Sequence, residues 1–301
     1  MKKIIIICVF FSFCGISGYA RQHEFSVHGA GGSGGLNYDL SEISLVGSQR
    51  GGFGSNFGAS YRYFFHPKLG FVTGMELALY RAKSEMNETF SHSYVAFDGD
   101  SDFDFHTSLS DYEERQRVTM LQIPLMLQFQ TGIDADARRF YAAAGTKIGI
   151  PLKARYDNKA TLVNACYYAY EDYWYRTDRF RGFGTFADEK DEGDLDFKTA
   201  VFASVELGVK WKLNGCMSLY TGAYLDYGLN NIIKSGNNAA RRHIVEYNAA
   251  DPTNFTINSI VNSKYSLPAA GNERYDIHQP FTDRMVPTTV GVMVRLAFGK
   301  R

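Results

Sequence analysis

The last part of the chain, Pro287–Arg301, contains a run from Val290 to Gly299 in which large apolar residues occupy every second position. The apolar positions are Val290, Val292, Val294, Leu296 and Phe298, and Gly291, Met293, Arg295 and Ala297 stand between them. In a β-strand this period of two places the apolar side chains on one face and Arg295 on the other. A lone charge in an apolar core is very costly, so Arg295 needs water or an acidic partner. The stretch therefore predicts a strand with one apolar face and one polar face.

Earlier stretches of the chain alternate in the same way. They are Glu24–Ala30, Ser55–Phe64, Leu69–Ala82, Arg115–Gln130, Arg139–Leu152, Lys198–Leu213 and Cys216–Leu229. Most exceed the roughly 5–6 residues of a typical soluble strand. They match the about 9–11 residues that a tilted strand needs to cross a bilayer. Together with the final stretch they predict eight membrane-crossing strands.

The connections between these eight predicted strands alternate between short and long. The short ones are residues 66–68, 131–138 and 214–215, and the long ones are 31–54, 83–114, 155–197 and 230–286. This rhythm is typical of a bacterial outer-membrane barrel whose termini and short turns lie in the periplasm. The predicted fold class is all-β, an eight-stranded antiparallel transmembrane up-and-down β-barrel with short periplasmic turns and long extracellular loops.

The polar face separates this prediction from its main rival, a soluble barrel such as a lipocalin, whose apolar face points inward. Across the eight stretches the polar face carries mixed charges among Gly, Ser, Gln and Tyr, which suits a narrow polar interior better than a soluble exterior. The sequence thus predicts a lumen charge network of Arg62, Glu76, Lys147, Glu206, Lys210, Asp226 and Arg295. Within it we expect Arg295 to face Glu76, Glu206 or Asp226.

The N-terminus has the pattern of an export signal. Two lysines precede the apolar run Ile4–Phe13, which is shorter than the about 20 residues of a membrane-spanning helix. Small residues at Gly18 and Ala20 predict cleavage after Ala20. The predicted organisation is a signal peptide at residues 1–20 and an outer-membrane barrel at residues 21–301.

Four short motifs carry a resemblance to a known family. They are G-A-S-Y-R-Y-F at 58–64, L-Q-I-P-L at 121–125, Y-A-A-A-G at 141–145 and V-G-V-M-V-R-L at 290–296. The chain resembles the outer membrane protein beta-barrel domain family, small eight-stranded barrels that include members like outer-membrane protein A and PorT-like proteins of Bacteroidetes. The resemblance covers essentially the whole chain after the signal peptide, and L-Q-I-P-L is its most specific element. It implies an integral outer-membrane location and this architecture more than any activity.

One long connection is unusually rich in aromatic and arginine residues. Because Tyr, Trp and Arg dominate binding hot spots, it is a candidate for stacking on sugars or packing on a partner protein. The candidate loop binding surface is Tyr170, Tyr173, Trp174, Tyr175, Arg176, Arg179 and Arg181. The alternative is that these side chains only extend the neighbouring strands and cover the barrel mouth. The expected partners are outer-membrane lipids, envelope proteins and surface glycans; 32 basic and 32 acidic residues give no basic domain for nucleic acid.

Two motif matches do not carry chemistry. Residues 29–34 match G-x-G-x-x-G, but no helical period follows, which favours a strand end or loop over a dinucleotide site. Alternating aspartates at 98–104 resemble the start of an EF-hand, yet Phe103 and Leu109 stand where that loop needs Gly and Glu. That stretch, like 188–196, is predicted to be a solvated acidic loop, with a weak cation site as the minor alternative. We predict no catalytic, cofactor-binding or metal-binding residues.

The predicted function is non-enzymatic, a structural, surface-recognition or envelope-complex accessory role through the extracellular loops. One alternative is an enzyme of the outer rim that hydrolyses or transfers lipids or peptides, since His92, His106, His243 and His278 fall in predicted loops. A loop histidine within hydrogen-bond reach of a serine or carboxylate would keep that alternative open. The other alternative is a narrow ion-conducting pore, although side chains can fill the interior of an eight-stranded barrel.

Overall fold

The structure of the protein is a computed structural model that describes residues 22–38, 40, 47–95, 102–132, 137–234, 241–248, 250–268, 275 and 277–300. In chain order the strands are β1 (Gln22–Asn37), β2 (Ser48–His66), β3 (Leu69–Val95), β4 (Asp102–Gln130), β5 (Arg138–Tyr168), β6 (Tyr173–Tyr175), β7 (Gly184–Asp194), β8 (Ala200–Lys212), β9 (Met217–Gly228), β10 (Arg242–His243), β11 (Val245–Glu246), β12 (Thr256–Ile257), β13 (Ser263–Leu267), β14 (Ile277–Pro280) and β15 (Val286–Lys300). A 3-10 turn lies at Arg179–Arg181. Within the described residues no helix is long and apolar enough to cross a membrane.

Eight of these strands close into a ring. The order around it is β1, β2, β3, β4, β5, β8, β9 and β15, every neighbouring pair is antiparallel, and β15 pairs back with β1. The closing pair sets Phe25 opposite Phe298 and His28 opposite Arg295. Closure satisfies the backbone hydrogen bonds that an open sheet edge would leave exposed to lipid. The predicted eight-stranded antiparallel barrel is confirmed.

The outer surface of the barrel is apolar over the part of the strands next to the short turns. Leu127 on β4 and Val292 on β15 are 59% and 69% exposed. An apolar band of this kind is unfavourable in water and is matched by lipid chains. The band ends on the outer side at Leu79 of β3 and Leu152 of β5; beyond them, Val163 is a single exposed large apolar residue on β5. We call the barrel up to these residues the membrane section and the strands beyond them the outer section.

Three barrel strands continue far into the outer section. β3 and β4 stay paired from Met86 and Tyr112 out to Val95 and Asp102. β5 runs on to Tyr168, and β7 pairs along it. The prediction of long loops at 83–114 and 155–197 is therefore wrong for most of both ranges. At 31–54, too, β1 extends to residue 37 and β2 begins at residue 48.

The reason for this error is a change in which face of the strand is apolar. In the membrane section of β4, Leu125 and Leu127 point outward to lipid and Gln128 is buried inside. In its outer section, Phe103 and Phe105 are buried and Asp104 between them is on the solvent side. The period of two persists, but the stretch is polar enough on its outward face to look like a loop.

The outer section encloses the main hydrophobic core of the protein. Strand residues such as Phe105 and Leu162 meet the segment between β9 and β15, which contributes Ile244, Ile260 and Phe281. All five of these side chains are buried. The segment thus caps the barrel on the outer side. Residues 230–286 are a long connection, as predicted, but in their described parts they are packed into the core.

The glycine-rich stretch at 29–34 is a regular part of β1. Its residues pair with β15 and with β2 throughout. A Cβ on Gly32 would lie 2.2 Å from the Val290 carbonyl oxygen, so the stretch needs glycine for close strand contact. This corrects the expectation of a flexible strand end or loop.

Both cysteines in the described residues are unpaired and lie at opposite ends of the barrel. Cys166 is buried in the outer section, and burial raises the pKa of its thiol to about 12. Cys216 is exposed in the turn between β8 and β9. Because the thiolate is the reactive form, burial makes the Cys166 thiol unreactive.

Candidate binding surface

The structure places all seven predicted lumen charges inside the membrane section, where they are buried. Lys147 on β5 spans the interior. Its Nζ lies 3.0 Å from Glu76 Oε2 on β3 and 3.0 Å from Asp226 Oδ2 on β9. Ser204 donates to the other carboxylate oxygen of Asp226 at 2.6 Å. One buried ammonium thus links three strands and compensates two carboxylates.

Arg295 faces Glu206, one of its three expected partners. Two guanidinium nitrogens donate to the two Glu206 oxygens at 3.0 and 3.1 Å, which is the bidentate geometry of a strong charge-assisted pair. Lys210 pairs with Glu24, a residue absent from the predicted network, and Tyr220 donates to Glu24 at 2.6 Å. Glu24 stands on the polar face of the first alternating stretch. The polarity pattern of that stretch would therefore have placed Glu24 in the lumen network.

Arg62 has no carboxylate partner in the part of the chain that the structure describes. Its Nε donates to Gln128 at 2.8 Å and its Nη1 to Ser26 at 2.8 Å. The guanidinium carbon lies 5.0 Å from the centroid of the Tyr220 ring. Neutral acceptors and an aromatic face therefore stabilise this buried cation.

The aromatic connection after β5 folds back as a hairpin at the outer tip of that strand. β6 pairs with β5 so that Trp174 lies opposite Tyr167. Tyr167 lies opposite Asp104 on β4, and Asp104 lies opposite Ser93 on β3. Residues directly opposite one another in antiparallel strands share a face. Ser93, Asp104, Tyr167 and Trp174 therefore form a row across four strands, on the solvent side of the outer section.

Trp174 is the centre of this row. Its ring centroid lies 5.2 Å from that of Tyr167 and 4.8 Å from that of His106, and the Arg176 guanidinium lies 4.8 Å over the indole. These contacts fix the ring while leaving Trp174 39% exposed. We call this group the Trp174 platform; its members are Ser93, Asp104, His106, Tyr167, Trp174 and Arg176.

The structure does not bring the seven predicted surface residues together. Tyr175 faces away from Trp174, and Arg181 lies 5.4 Å over the Tyr175 ring. Two of the seven, Trp174 and Arg176, belong to the platform. The others lie beside it or behind it, and they are Tyr170, Tyr173, Tyr175, Arg179 and Arg181.

Two of the four loop histidines point into the core of the outer section. His92 stacks on His243 with ring centroids 4.0 Å apart and an interplanar angle of 9°. Burial lowers the pKa of His92 well below its ordinary value. Burial also lowers the pKa of His243 to about 4, and the positive charge of Lys264 lowers it further. Both rings are therefore neutral at pH 7.

The other two histidines each meet a serine. The Nδ1 of His106 lies 2.6 Å from Ser91 Oγ, and the Nδ1 of His278 lies 2.9 Å from Ser266 Oγ. Ser91 and Ser266 are opposite one another on β3 and β13. The carboxylate of Asp104, which acts electrostatically on His106, accepts a hydrogen bond from Ser93 at 2.5 Å. The serine–histidine pairs keep the rim-enzyme alternative open.

The predicted acidic loops are largely strands. Asp102 and Asp104 belong to β4, and residues 188–194 belong to β7; Asp98 and Asp100 lie outside the described residues, as do residues 1–20. Among the residues that the structure describes, no group of three His, Cys, Asp or Glu side chains is placed to hold a metal ion. Asp191 instead accepts from the Ile257 backbone N–H at 3.0 Å and fixes the cap.

Sequence reasoning also missed Glu114, which is fully buried between β4 and the cap. It accepts from Tyr112 at 2.5 Å, Gln116 at 2.6 Å and Ser259 at 2.6 Å, and from the Ile260 backbone N–H at 2.9 Å. Burial raises the pKa of Glu114 despite these four donors. The only signal in the sequence was its place on the inward face of an alternating stretch that looked like a loop.

The family comparison agrees with this architecture. A sequence profile described as "Outer membrane protein beta-barrel domain" matches residues 19–234. Neisserial surface protein A has a similar structure at 8% identity, with 92% of this chain and 98% of that chain covered and a TM-score of 0.33. Ail of Yersinia pestis, solved with the heparin analogue sucrose octasulfate, is similar at 10% identity, with 92% and 99% covered and a TM-score of 0.27. No curated protein matches the sequence.

Proposed function

The chain belongs to the outer membrane protein beta-barrel domain family of integral outer-membrane proteins, and we propose that this member is a non-enzymatic surface-recognition protein that binds carbohydrate on its Trp174 platform. The observation that carries the proposal is the fixed but partly exposed indole of Trp174. In the same proposal, residues 1–20 are a cleaved signal peptide and residues 21–301 form the mature barrel. Membership of a PorT-like subgroup stays a prediction.

The platform has the two kinds of group that a sugar ring requires. A pyranose presents an apolar face of C–H bonds, which stacks on an indole, and a rim of hydroxyls, which needs donors and acceptors. Asp104 and Ser93 lie in the same row as Trp174, and Arg176 lies at its edge. Tyr, Trp and Arg are also the residues that most often carry binding energy at a surface.

The platform is also rigid before any ligand arrives. Five of its six members sit on paired strands and Arg176 directly follows β6; the hairpin that carries Trp174 is closed by a hydrogen bond from the Tyr167 hydroxyl to Asp172 at 2.9 Å. Preorganised groups lose little conformational entropy on binding. A flat, ordered sheet surface therefore supports recognition better than mobile loops would.

In this proposal the lumen charges are structural. Lys147, Arg295 and Lys210 each join strands that are not neighbours in the ring through ion pairs inside the membrane section. Side chains of this size occupy the interior that eight strands enclose. The alternative of a narrow pore predicts conductance steps in a planar bilayer, whereas the structural role predicts silence.

The test uses the two tryptophans of the chain, Trp174 and Trp211. The full chain carrying Trp211→Phe, refolded in lipid, has one indole reporter at the platform. We expect soluble polysaccharides that bind to shift its fluorescence in a saturable way. Trp174→Ala, made in the unmodified chain and measured by isothermal titration because it lacks the platform reporter, should weaken binding at least about tenfold, since an aromatic hot spot is worth about 2 kcal/mol or more.

The matched control is Tyr170→Ala. Tyr170 is 93% exposed at the tip of the same hairpin and lies outside the platform. The Tyr170→Ala variant should bind polysaccharide as tightly as the unmodified protein does. Equal binding by the Trp174 and Tyr170 variants, or no saturable response to any polysaccharide in a broad panel, would contradict the proposal.

A second candidate function is the rim enzyme, which the Ser91–His106 contact at 2.6 Å favours. A serine whose hydroxyl meets an imidazole is the core of a nucleophile–base pair. A fluorophosphonate probe separates the two functions. Labelling that Ser91→Ala abolishes would establish a reactive serine and overturn the non-enzymatic proposal, whereas the absence of labelling would leave the pair as a cross-strand hydrogen bond.

A further inference from the structure

Three arginines stand side by side on the outside of the barrel, just beyond the apolar band. Arg81 on β3 lies opposite Arg117 on β4, and Arg117 lies opposite Arg155 on β5. All three are exposed. Since adjacent strands are about 4.8 Å apart, the three backbones span roughly 10 Å. We call these residues the arginine row.

The row lies where the lipid headgroups begin. Leu79, the last exposed apolar residue of β3, is two positions nearer the membrane than Arg81. Lys153 of β5 lies opposite Thr119 of β4, and Thr119 lies opposite Leu79 of β3. Lys153 is therefore at the same level as Leu79. By contrast, Tyr227 and Val290 are the uncharged outward residues at the outer ends of β9 and β15. The basic charge is therefore a patch on one side of the barrel instead of a uniform ring.

The charges of the row are only weakly balanced within the protein. Like charges directly opposite one another on neighbouring strands are destabilising. Arg117 pairs with Asp157 at 2.7 Å and Arg155 with Asp194 at 3.1 Å, but both arginine side chains are more than half exposed, so these pairs are wet and weak. Arg81 has no carboxylate within ion-pair distance among the described residues. An anion that bridges the three guanidinium groups would remove the repulsion.

We propose that the arginine row binds the phosphate groups of a glycolipid in the outer leaflet. Guanidinium groups hold phosphate oxygens in a bidentate fork, and basic patches at the membrane surface attract anionic headgroups. Gly52 on β2 adds space beside the row, because a Cβ there would lie 2.9 Å from that of Arg81. The lipid chains then run down the apolar band below Leu79. This site is independent of the Trp174 platform and faces the membrane side of the outer section.

The experiment measures retention of lipid by the purified full chain. The protein is refolded with lipid A that carries two phosphates or with the same lipid after phosphatase treatment, and bound lipid is counted by native mass spectrometry. The unmodified protein should retain the phosphorylated lipid at least about tenfold better than the dephosphorylated one. The triple variant Arg81→Gln, Arg117→Gln, Arg155→Gln should retain the two lipids equally.

Two further variants make the result decisive. Arg81→Gln alone breaks no ion pair of the described residues and should lose part of the preference even if the triple variant does not fold. Arg138→Gln changes an exposed arginine at the opposite end of β5 and should keep the full preference. Equal retention of both lipids by the unmodified protein, or an unchanged preference in Arg81→Gln and the triple variant, would overturn the proposal.

Discussion

The membrane section and the outer section are built from the same strands with their polarity reversed. In the membrane section, charges such as Lys147 lie inside and apolar residues such as Leu127 lie outside. In the outer section, Phe105 and Leu162 lie inside, and arginine, serine and aspartate lie outside. The period of two is the same in both, so the geometry of the strand does not decide which face is apolar. The surrounding solvent, lipid or water, decides it.

The two sections also differ in what an ion pair contributes. Lys147, Glu76 and Asp226 are removed from water, so each charge depends on the others. On the outside of the outer section, Lys83 reaches Glu85 at 2.6 Å and Glu113 at 2.9 Å, in similar geometry but in water. Water screens the second set and makes each partner dispensable. Substitutions in the two sections test this contrast.

The largest effect is expected for Lys147→Met. Removing the ammonium leaves Asp226 buried without a cation and Glu76 with only the His28 imidazole 3.4 Å away, which should lower the free energy of unfolding by about 3–5 kcal/mol. Urea unfolding in lipid vesicles, followed by the mobility shift of folded and heated barrels on gels, measures it. Lys153→Met is the control, because Lys153 is exposed on the same strand. Equal stability of both variants would mean that water reaches the Glu76 and Asp226 carboxylates inside the barrel.

The next effect concerns the lipid-facing side. Val294 is exposed on β15, whereas its neighbour Met293 is buried inside the barrel. Val294→Arg should lower stability by about 2–4 kcal/mol and impair assembly, since it sets a charge against the hydrocarbon region. Met293→Gln should have a milder effect, because the lumen already holds polar groups. Vesicle insertion yields of the two variants provide the measurement, and equal yields would contradict the assigned orientation.

A pH effect should be confined to the outer section. The folded pKa of His243, about 4, lies below its ordinary value of 6.5, so this stabilising term is complete above pH 6.5 and is lost as the pH falls toward 4. The cap around His243, which faces Lys264, His278 and His92, should become easier to open by roughly 1–3 kcal/mol. Hydrogen exchange of residues 241–247 at pH 7 and pH 4.5 measures this.

His243→Phe supplies the control for the pH effect. It keeps the stacking partner of His92 and removes the proton acceptor. Its cap should keep nearly the same protection factor, which is the intrinsic exchange rate at each pH divided by the observed rate, at pH 7 and pH 4.5. A cap that loosens equally in the variant would assign the pH dependence to another group, and loosening of the membrane section would break the contrast between the two sections.

The smallest effect is expected for Lys83→Ala. Its ion pairs are exposed, so the loss should be within about 1 kcal/mol and should vanish at high salt. The same unfolding assay used for Lys147→Met measures it. A loss of stability as large as that of Lys147→Met would show that water does not reach the Lys83 ion pairs on the outside of the outer section.

The sequence predicted the membrane section well because lipid imposes a simple rule on each strand. Val292 and Leu207 had to face outward, and the mixed charges opposite them had to face inward. The outer section escaped prediction because its inward residues, such as Phe103 and Phe105, alternate with aspartate and histidine in a stretch that resembles an acidic loop.

The Trp174 platform was likewise predicted only in part. Trp174 and Arg176 were predicted as surface residues, but their neighbours were not. Asp104 and His106 join them only through the pairing of β4 with β5, which brings together residues more than sixty positions apart in the chain. Without the register of those strands, composition alone cannot place an acidic residue beside a particular aromatic ring.

The paired strands of the outer section also set how far the Trp174 platform stands from the cell surface. Ser93, in the row with Trp174, is 14 positions beyond Leu79 on β3. At about 3.3 Å per residue this is about 46 Å along the strand, or roughly 35 Å of height for a strand tilted by about 40°. The barrel therefore holds the Trp174 platform at a distance from the membrane surface. A partner too large to enter the lipid headgroup layer meets the platform first, while the arginine row at its base is reached only by molecules that already lie in the membrane.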